Sequence, residues 1–253
     1  RGHRVHVSYH QWMLEDEVRN KALEAMINTL VRPGDVVADL GTGTGILAVL
    51  ARRAGAVRVH AIDASPIVRL ARRMVEANGI DGIEFYECDL ATVELPEPVD
   101  VAISECLGNF AFSDSMFGAI GEFTKRWLKP DGRVGPCSVR LYGQPINAEL
   151  SWRPSRFWSE PWRGIDLSVF APADHDQVRV ISAVPAFAWE QPVMLAEFHP
   201  YHRPDRFELS AEWTMTQDRT VSGVVGWFEV DWAPGVTLTT DPRAPETHWS
   251  QVL

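Results

Sequence analysis

Acidic residues and a glycine-rich loop stand at the ends of successive predicted strands. The loop carries three glycines, Gly41, Gly43 and Gly45. Glycines at a strand-to-helix turn let the backbone approach a ligand closely, and the following helix offers free N–H groups. Asp39 precedes the loop, Asp63 ends the second strand and Asp89 follows the third. Asp63 could accept both hydroxyls of a ribose, and Asp89 could receive an adenine amino group. These residues predict a site for an adenosine-containing cofactor.

The spacing of the glycines distinguishes two kinds of cofactor site. A dinucleotide site has a third glycine at the end of G-x-G-x-x-G, but that position is Ile46 here. The G-x-G-x-G pattern instead resembles motif I of class I S-adenosylmethionine (SAM) methyltransferases. The resemblance implies that Asp39 and the loop hold the methionine end of SAM, with Leu90 beside Asp89 as a further cofactor contact. A nucleotide-free α/β domain with ordinary loop carboxylates is the alternative.

A second pair of carboxylates lies on the segment after the fourth predicted strand. Glu105 and Asp114 are nine residues apart on this segment. Two carboxylates on a loop over a cofactor suit a flat cation that binds through paired hydrogen bonds, such as a guanidinium. Solvated loop acids are the alternative, but Glu105 directly follows a predicted buried strand. We therefore expect Glu105 and Asp114 to be catalytic residues.

Two further segments indicate a family. A helix near the start reads HQWMLEDEVR, from His10 to Arg19, and a loop near the end reads THW, from Thr247 to Trp249. Together with the Glu105 segment, SECLGNFAFSDSM, they resemble the protein arginine N-methyltransferase (PRMT) family. The marks of that family are H-E-x-M-L-x-D-x-x-R, T-H-W and S-E-x-x-G-x-x-x-x-x-E-S-M. The resemblance runs in the same order from about His10 to Leu253.

The resemblance implies a role for each matching residue. Arg19 would bind the SAM carboxylate, Glu105 would grip a guanidinium, and His248 would line the site as a catalytic residue. Three further residues are expected to wall the site: Met13 and Trp249 on the substrate side and Met116 on the cofactor side. SAM is then the cofactor and S-adenosylhomocysteine (SAH) its product. The sequence shows no metal-ligand spacing.

The chain departs from the family pattern in several places. Asp114 replaces the second glutamate and is one methylene shorter, so we expect a longer or water-bridged contact. A dimerisation arm, and with it a homodimer, would fall at about 157–184, where little pattern is recognisable. The chain starts without Met and stops at Leu253, before the last strands of the family, so we expect missing N-terminal sequence and a shortened barrel. These differences favour a bacterial relative acting on a cationic small molecule, free amino acid or peptide.

The elements that must position these residues fall into two halves. Predicted strands at 36–40, 57–62, 83–86 and 99–104 alternate with predicted helices at 46–53, 66–78 and 115–128. This alternation predicts an α/β fold with a Rossmann-like, doubly wound SAM-binding sheet over residues 36–140. A helix predicted at 13–30 belongs to an N-terminal cap, residues 1–35, over the cofactor. From Phe207 to Met215 apolar and polar residues alternate, which predicts a half-buried antiparallel strand. We infer an antiparallel β-barrel or sandwich for substrate binding over residues 141–253.

The composition excludes several classes of protein. Of 253 residues, 45% are hydrophobic and ten are tryptophan, which is enough apolar surface to fold. The net charge of −10 argues against nucleic-acid binding and favours cationic partners. No apolar run is long enough for a membrane span, and the start lacks a signal-peptide pattern. Three scattered cysteines, Cys88, Cys106 and Cys137, predict a reducing, cytoplasmic setting.

The resemblance thus implies a SAM-dependent N-methyltransferase that acts on a guanidino or related nitrogen. Two alternatives stay open. One is an O- or N-methyltransferase in natural product biosynthesis, with the same fold and with Glu105 as a base or hydrogen-bond acceptor. The other is an inactive relative that binds a partner through its β-rich half. The intact cofactor residues, Arg19 among them, argue against this second alternative.

Overall fold

The fold follows from a computed structural model of the chain. It describes residues 7–111, 116–147, 156–175, 178–182, 191–202 and 208–253. Asp114 therefore lies outside the described residues. Within the described part of the chain, no helix is long and apolar enough to cross a membrane.

The first half contains a five-stranded parallel sheet. Its strands are β1 (Val36–Leu40), β2 (Arg58–Ile62), β3 (Ile83–Tyr86), β4 (Val99–Ser104) and β5 (Leu128–Gly135). Their order in the sheet is β3-β2-β1-β4-β5. The order reverses direction between β1 and β4, and ligands of such sheets bind in the crevice beyond the carboxyl ends at this point. The predicted Rossmann-like sheet is confirmed.

The first half also contains helices. They are α1 (Val7–Glu15), α2 (Glu17–Leu30), α3 (Ile46–Arg53), α4 (Ile67–Ala77) and α5 (Met116–Trp127). Along the strands, Val37 and Ala38 belong to two different apolar clusters, and so do Val101 and Ala102. Strands buried in this way on both faces are typical of doubly wound α/β folds.

The prediction of a single helix over 13–30 is wrong in one respect, because the helix is interrupted at Asp16. The Oδ1 atom of Asp16 accepts a hydrogen bond of 2.9 Å from the backbone N–H of Arg19 and caps α2. An N-terminal cap of this kind replaces the helical hydrogen bonds that the first turn lacks. Two helices, α1 and α2, therefore meet at Asp16.

The second half is an antiparallel sheet, as predicted. Its strands are β6 (Ser138–Ile146), β7 (Val180–Ile181), β8 (Val193–Phe198), β9 (Gly223–Ala233), β10 (Val236–Thr239) and β11 (Gln251–Val252). Their order is β7-β11-β9-β6-β8, and β10 also pairs with β9. Val139, Phe228 and Trp232 of this sheet share one buried cluster with Leu23 and Met26 of α2. The two halves are therefore joined by a common core.

The strand predicted at 207–215 is wrong over its described part, because residues 208–215 form no strand. Ala211 and Trp213 are nevertheless half-buried between exposed neighbours, and Trp213 lies over Gly143 of β6. β6 already pairs with β8 and β9 on its two edges. The segment can therefore bury alternate side chains against the sheet without joining its hydrogen bonds. A short helix, α6 (Ala171–His175), follows single helical turns at Arg156–Ser159 and Ser168–Phe170.

Candidate active site

A cavity of about 640 Å³ lies beyond the carboxyl ends of the parallel strands. Helices α1 and α2 form its other side. Among the predicted site residues, those that line it are Met13, Arg19, Gly41, Gly43, Asp63 and Glu105. Tyr9, His10, Glu17 and Cys106 line it as well. The cavity thus brings together residues from the cap, from the glycine loop and from the segment after β4.

The glycine loop has the backbone that a close-approaching ligand requires. Gly43 and Gly45 have φ values of 54° and 81°, in the left-handed region that favours glycine. A Cβ atom at Gly43 would lie 3.2 Å from Cε1 of His10, and Gly45 immediately precedes the first turn of α3. The loop can therefore present backbone N–H groups to the cavity at its glycines, next to the start of a helix.

Asp39 supports this loop from behind. Its Oδ2 atom accepts hydrogen bonds from the Thr42 hydroxyl at 2.6 Å and from the Ala48 backbone N–H at 3.0 Å. Burial raises the pKa of Asp39 to about 7, although both hydrogen bonds oppose the shift. Asp39 does not line the cavity, so it acts on a ligand through the loop that it holds. A direct contact of Asp39 with the cofactor stays a prediction.

Asp63 lies between the loop and the cavity. Its Oδ2 atom accepts the backbone N–H of Gly43 at 2.9 Å, and its Oδ1 atom accepts that of Ser65 at 2.8 Å. Each carboxylate oxygen can accept more than one hydrogen bond, so both can still take a ribose hydroxyl. The fixed orientation of the carboxylate suits the role that its position in the sequence predicts.

Asp89 and Leu90 do not line the cavity. Asp89 is exposed, and its Oδ1 atom accepts the backbone N–H of Ala91 at 2.8 Å. Leu90 is buried in the apolar cluster on one face of the parallel sheet. Their predicted contacts with the cofactor stay predictions.

Arg19 and Glu105 form a buried ion pair inside the cavity. The Nε atom of Arg19 donates to Oε2 of Glu105 at 2.8 Å, and its Nη2 atom contacts the same oxygen. The side chains are only 10% and 4% exposed. Oε1 of Glu105 accepts the backbone N–H of Leu107 at 3.1 Å. Glu105 thus already holds a guanidinium, that of Arg19.

Asp16 connects this pair to His248. Its Oδ2 atom accepts the backbone N–H of His248 at 2.8 Å and pairs with the ring Nδ1 at 2.9 Å. Burial opposes ionisation of Asp16, but the hydrogen bonds from Arg19 and His248 hold its pKa below the ordinary value. A carboxylate at Nδ1 favours the ring form with hydrogen on Nδ1, which leaves Nε2 as an acceptor.

Trp249 positions the Glu105 segment and does not line the cavity. Its ring N–H donates to the Leu107 carbonyl at 2.8 Å, and its own carbonyl accepts the Asn109 side-chain amide at 2.6 Å. Trp249 is buried, and its ring packs edge-to-face on Phe228 with centroids 5.4 Å apart. The T-H-W loop therefore fixes the segment that carries Glu105. Substrate contact by Trp249 stays a prediction.

The predicted site and the observed cavity differ in two ways: one predicted residue cannot be placed, and several residues at the cavity were not predicted. Asp114 lies outside the described residues, and Met116 is the first residue of α5. Tyr9, His10, Asp16, Glu17 and Cys106 were not assigned a role from the sequence. His10 and Asp16 stand at fixed positions of the H-E-x-M-L-x-D-x-x-R motif, and that signal could have found them. Among the described residues, no group of three His, Cys, Asp or Glu side chains could hold a metal ion.

The similarity of this chain to known proteins covers most of its length and not only the motifs. A methyltransferase-domain family matches residues 37–132. Protein arginine N-methyltransferase 6 of Xenopus laevis is 32% identical over 98% of this chain and 77% of its own length. The probable protein arginine N-methyltransferase 6 of Arabidopsis thaliana is 28% identical over 98% of this chain and 68% of its own length.

Solved structures of arginine methyltransferases have a similar fold over most of this chain. Arabidopsis thaliana protein arginine methyltransferase 10 matches with a TM-score of 0.82 at 28% identity, over 98% of this chain and 82% of that one. The Trypanosoma brucei PRMT1 enzyme–prozyme complex with S-adenosylhomocysteine matches with a TM-score of 0.83 at 25% identity, over 98% of this chain and 81% of that one.

The parallel sheet, its glycine loop and the acid after β2 define a class I SAM-dependent methyltransferase. The chain belongs to the protein arginine N-methyltransferase family. The residues fit the cofactor, because Gly43 lines the cavity without a side chain and Asp63 keeps acceptor capacity beside it. Arg19 adds a buried cation in the same cavity that can face a carboxylate.

Proposed function

We propose that this protein transfers the methyl group of SAM to a guanidinium nitrogen of an arginine in a peptide or protein. The observation that carries the proposal is the contact of Glu105 with the Arg19 guanidinium inside the cavity. The buried carboxylate already binds the kind of planar cation that the reaction would use. Membership of the family supports the same class of substrate.

The chemistry asks Glu105 to orient and polarise the nucleophile. Bound SAM would supply a methyl group that is already activated on sulfur, so positioning is the main task. A guanidinium is a poor nucleophile because its charge is delocalised and its pKa is about 12.5 to 13.8. Glu105 would draw that charge toward the nitrogens it binds and leave the remaining nitrogen richer in electrons. Asp114 would provide the second carboxylate.

Arg19 must leave Glu105 before a substrate arginine can bind there. The SAM carboxylate, which the family resemblance assigns to Arg19, would offer its guanidinium a second anion within the same cavity. Arg19 contacts Glu105 through its Nε and Nη2 atoms. A SAM carboxylate that binds these same atoms would exclude the pairing with Glu105. Cofactor binding would therefore free Glu105 for the substrate.

Asp16 and His248 would take part in removing the proton. With Nδ1 of His248 paired to Asp16, the Nε2 atom can accept a proton that leaves the methylated nitrogen. The ionised Asp16 would stabilise the imidazolium that forms. The guanidinium does not have to lose its proton before methyl transfer. The proton can leave afterwards, from the methylated nitrogen.

The test is methyl transfer to a panel of acceptors with purified protein and SAM. We expect a mass gain of one methyl or more on arginine in peptides. Glu105→Gln should lower turnover by about a thousandfold, since it removes charge stabilisation in the transition state. The same variant should bind SAH as the parent does in calorimetry.

The control is Glu94→Gln, because Glu94 is exposed and pairs with Arg126 away from the cavity. It should leave turnover unchanged. The proposal fails if Glu105→Gln turns over normally, or if only phenols or carboxylates are labelled. The latter result would favour an O-methyltransferase of a secondary metabolite.

Free arginine and small guanidino compounds present the same cation and belong in the panel. The cavity of about 640 Å³ has to hold the cofactor as well as the substrate's reacting group. A peptide can leave the rest of its chain outside, whereas a small molecule must obtain all its binding energy inside. The ratio of kcat/KM for peptide and free arginine separates the two classes.

We also propose that the protein forms a homodimer through residues 156–170. Phe157, Trp162, Ile165, Val169 and Phe170 are all exposed there, between 47% and 77%. Large exposed apolar side chains concentrated in one segment are typical of an interface. The Trypanosoma brucei relative is a heterotetrameric complex, which supports association in this family.

A reducing, cytoplasmic setting is part of the proposal, because Cys88, Cys106 and Cys137 are free.

A further inference from the structure

Two aromatic side chains on α1 are not used by the chemistry described above. Tyr9 and Trp12 lie one turn apart, and they are 53% and 49% exposed. Their ring centroids are 6.2 Å apart and the rings meet edge-to-face. Large aromatic residues half exposed to solvent at the same face of a helix offer an electron-rich surface to a ligand.

This aromatic pair lies at the edge of the cavity, which Tyr9 lines and Trp12 does not. Tyr9 lines the same cavity as Glu105. Burial raises the pKa of Tyr9, and the negative charge of Glu105 adds to the shift, as expected for neighbours. Trp12 packs edge-to-face on His248, with centroids 5.6 Å apart. The pair therefore joins the cavity to the T-H-W loop.

The charges around the pair favour a cation. Glu15, Asp16 and Glu17 follow Trp12 along the chain after two apolar residues, and Glu17 lines the cavity. A positive group over a Trp or Tyr face is attracted by the ring quadrupole, and a guanidinium can also stack on the ring. An apolar side chain would gain only from burial and nothing from these carboxylates.

We propose that Tyr9 and Trp12 form a second subsite, which binds the guanidinium of another arginine of the substrate while the first arginine occupies Glu105. This subsite rests on the proposed function and names what selects the substrate. In this subsite Trp12 contacts the second arginine of the substrate and not the nitrogen that is methylated. It would therefore contribute to the difference in affinity between substrates with and without the second arginine.

The test uses pairs of peptides with one target arginine and a second position, one to four residues away, occupied by arginine or by citrulline. Citrulline has nearly the same shape but carries no charge. For the parent protein we expect a KM about three to ten times lower with the second arginine, at unchanged kcat, in the best spacing. Calorimetry with SAH-loaded protein should give the same preference in Kd.

Trp12→Leu should abolish the preference, so that arginine and citrulline peptides bind alike, whereas Trp12→Phe should keep part of it. The ratio between paired peptides cancels any general effect of the substitution on His248. Val57→Ala is the control, since Val57 is also an exposed apolar residue but precedes β2 at the amino end of the parallel sheet, opposite the cavity. It should retain the full preference.

Several results would overturn the subsite. The parent could bind citrulline and arginine peptides equally at every spacing, Trp12→Leu could keep the preference, or a norleucine peptide could bind as well as the arginine peptide. Failure of the proposed function is a separate result, in which no peptide is methylated. The calorimetric preference for arginine still decides the subsite in that case.

Discussion

Asp39 and Asp16 are both shielded from solvent beside the cavity, but their surroundings shift their pKa values in opposite directions. Asp16 accepts hydrogen bonds from the backbone of Arg19, the backbone of His248 and the His248 ring, and its pKa is lowered. Asp39 accepts two, and among the described residues its Oδ1 atom has no partner. Burial raises its pKa to about 7. At Asp39 complete burial and the charge of Asp63 outweigh two hydrogen bonds, whereas at Asp16 three hydrogen bonds and the charge of His248 outweigh burial.

Asp39 should make the stability of the cofactor-free protein depend on pH. Unfolded Asp39 loses its proton near pH 3.9, whereas the folded side chain keeps it until about pH 7. The folded state then binds more protons between these values, so stability falls as pH rises through that window. We expect Asp39→Asn to gain about 2 kcal/mol relative to the parent between pH 5 and pH 8.

Urea unfolding at the two pH values measures this difference. Asp81→Asn is the control, because the Asp81 side chain is 94% exposed, and its stability should follow that of the parent. Parallel pH dependences for the parent and Asp39→Asn would contradict the expectation.

At the scale of elements, the antiparallel sheet positions a carboxylate that the parallel sheet carries. The segment after β4 holds Glu105, but Trp249 and Asn109 tie it to the other half. Phe110, on the same segment, lies against Gly226 of β9. The parallel sheet alone would therefore leave Glu105 on a loop without these supports.

Gly226→Ala should disturb this arrangement. The new Cβ atom would lie 2.8 Å from Cε2 of Phe110 and 3.0 Å from Cγ2 of Val252, so Phe110 has to move. We expect kcat to fall about tenfold or more, because displacement of a positioning segment is costly. SAH affinity should stay unchanged, since the glycine loop and Asp63 lie on other elements. Gly118→Ala, in open space on α5, should have no such effect, and equal kcat values for the two variants would contradict this account.

At the scale of the whole molecule, the exposed apolar residues of the 156–170 stretch are the surface that we propose for the homodimer. Phe170→Glu places a charge on that stretch and should convert a dimer to a monomer in light scattering at micromolar concentration. Val57→Glu is the control, since Val57 is 58% exposed on the parallel-sheet half. A parent protein that is monomeric at all concentrations, or a Phe170→Glu protein that stays dimeric, would exclude this interface.

The predicted bounds of β1, α3 and β4 agree with the structure, because buried strands and the glycine turn are encoded by neighbouring residues. The alternation at 208–215 did not specify a strand, since half-burial without pairing leaves the same pattern. The prediction of one cap helix failed at Asp16 for a local reason, a capping side chain that the apolar periodicity does not register.

Motif positions and strand ends are readable along the chain, so the sequence alone was enough to identify the cofactor class and the family, and it predicted Arg19, Asp63 and Glu105 as site residues. Which of these residues meet depends on how the whole chain packs. Arg19 and Glu105 are separated by 86 residues, and Asp16 and His248 by 232. Such pairs form because the shared core brings α2, the parallel strands and the T-H-W loop to one cavity, and no local pattern encodes that packing.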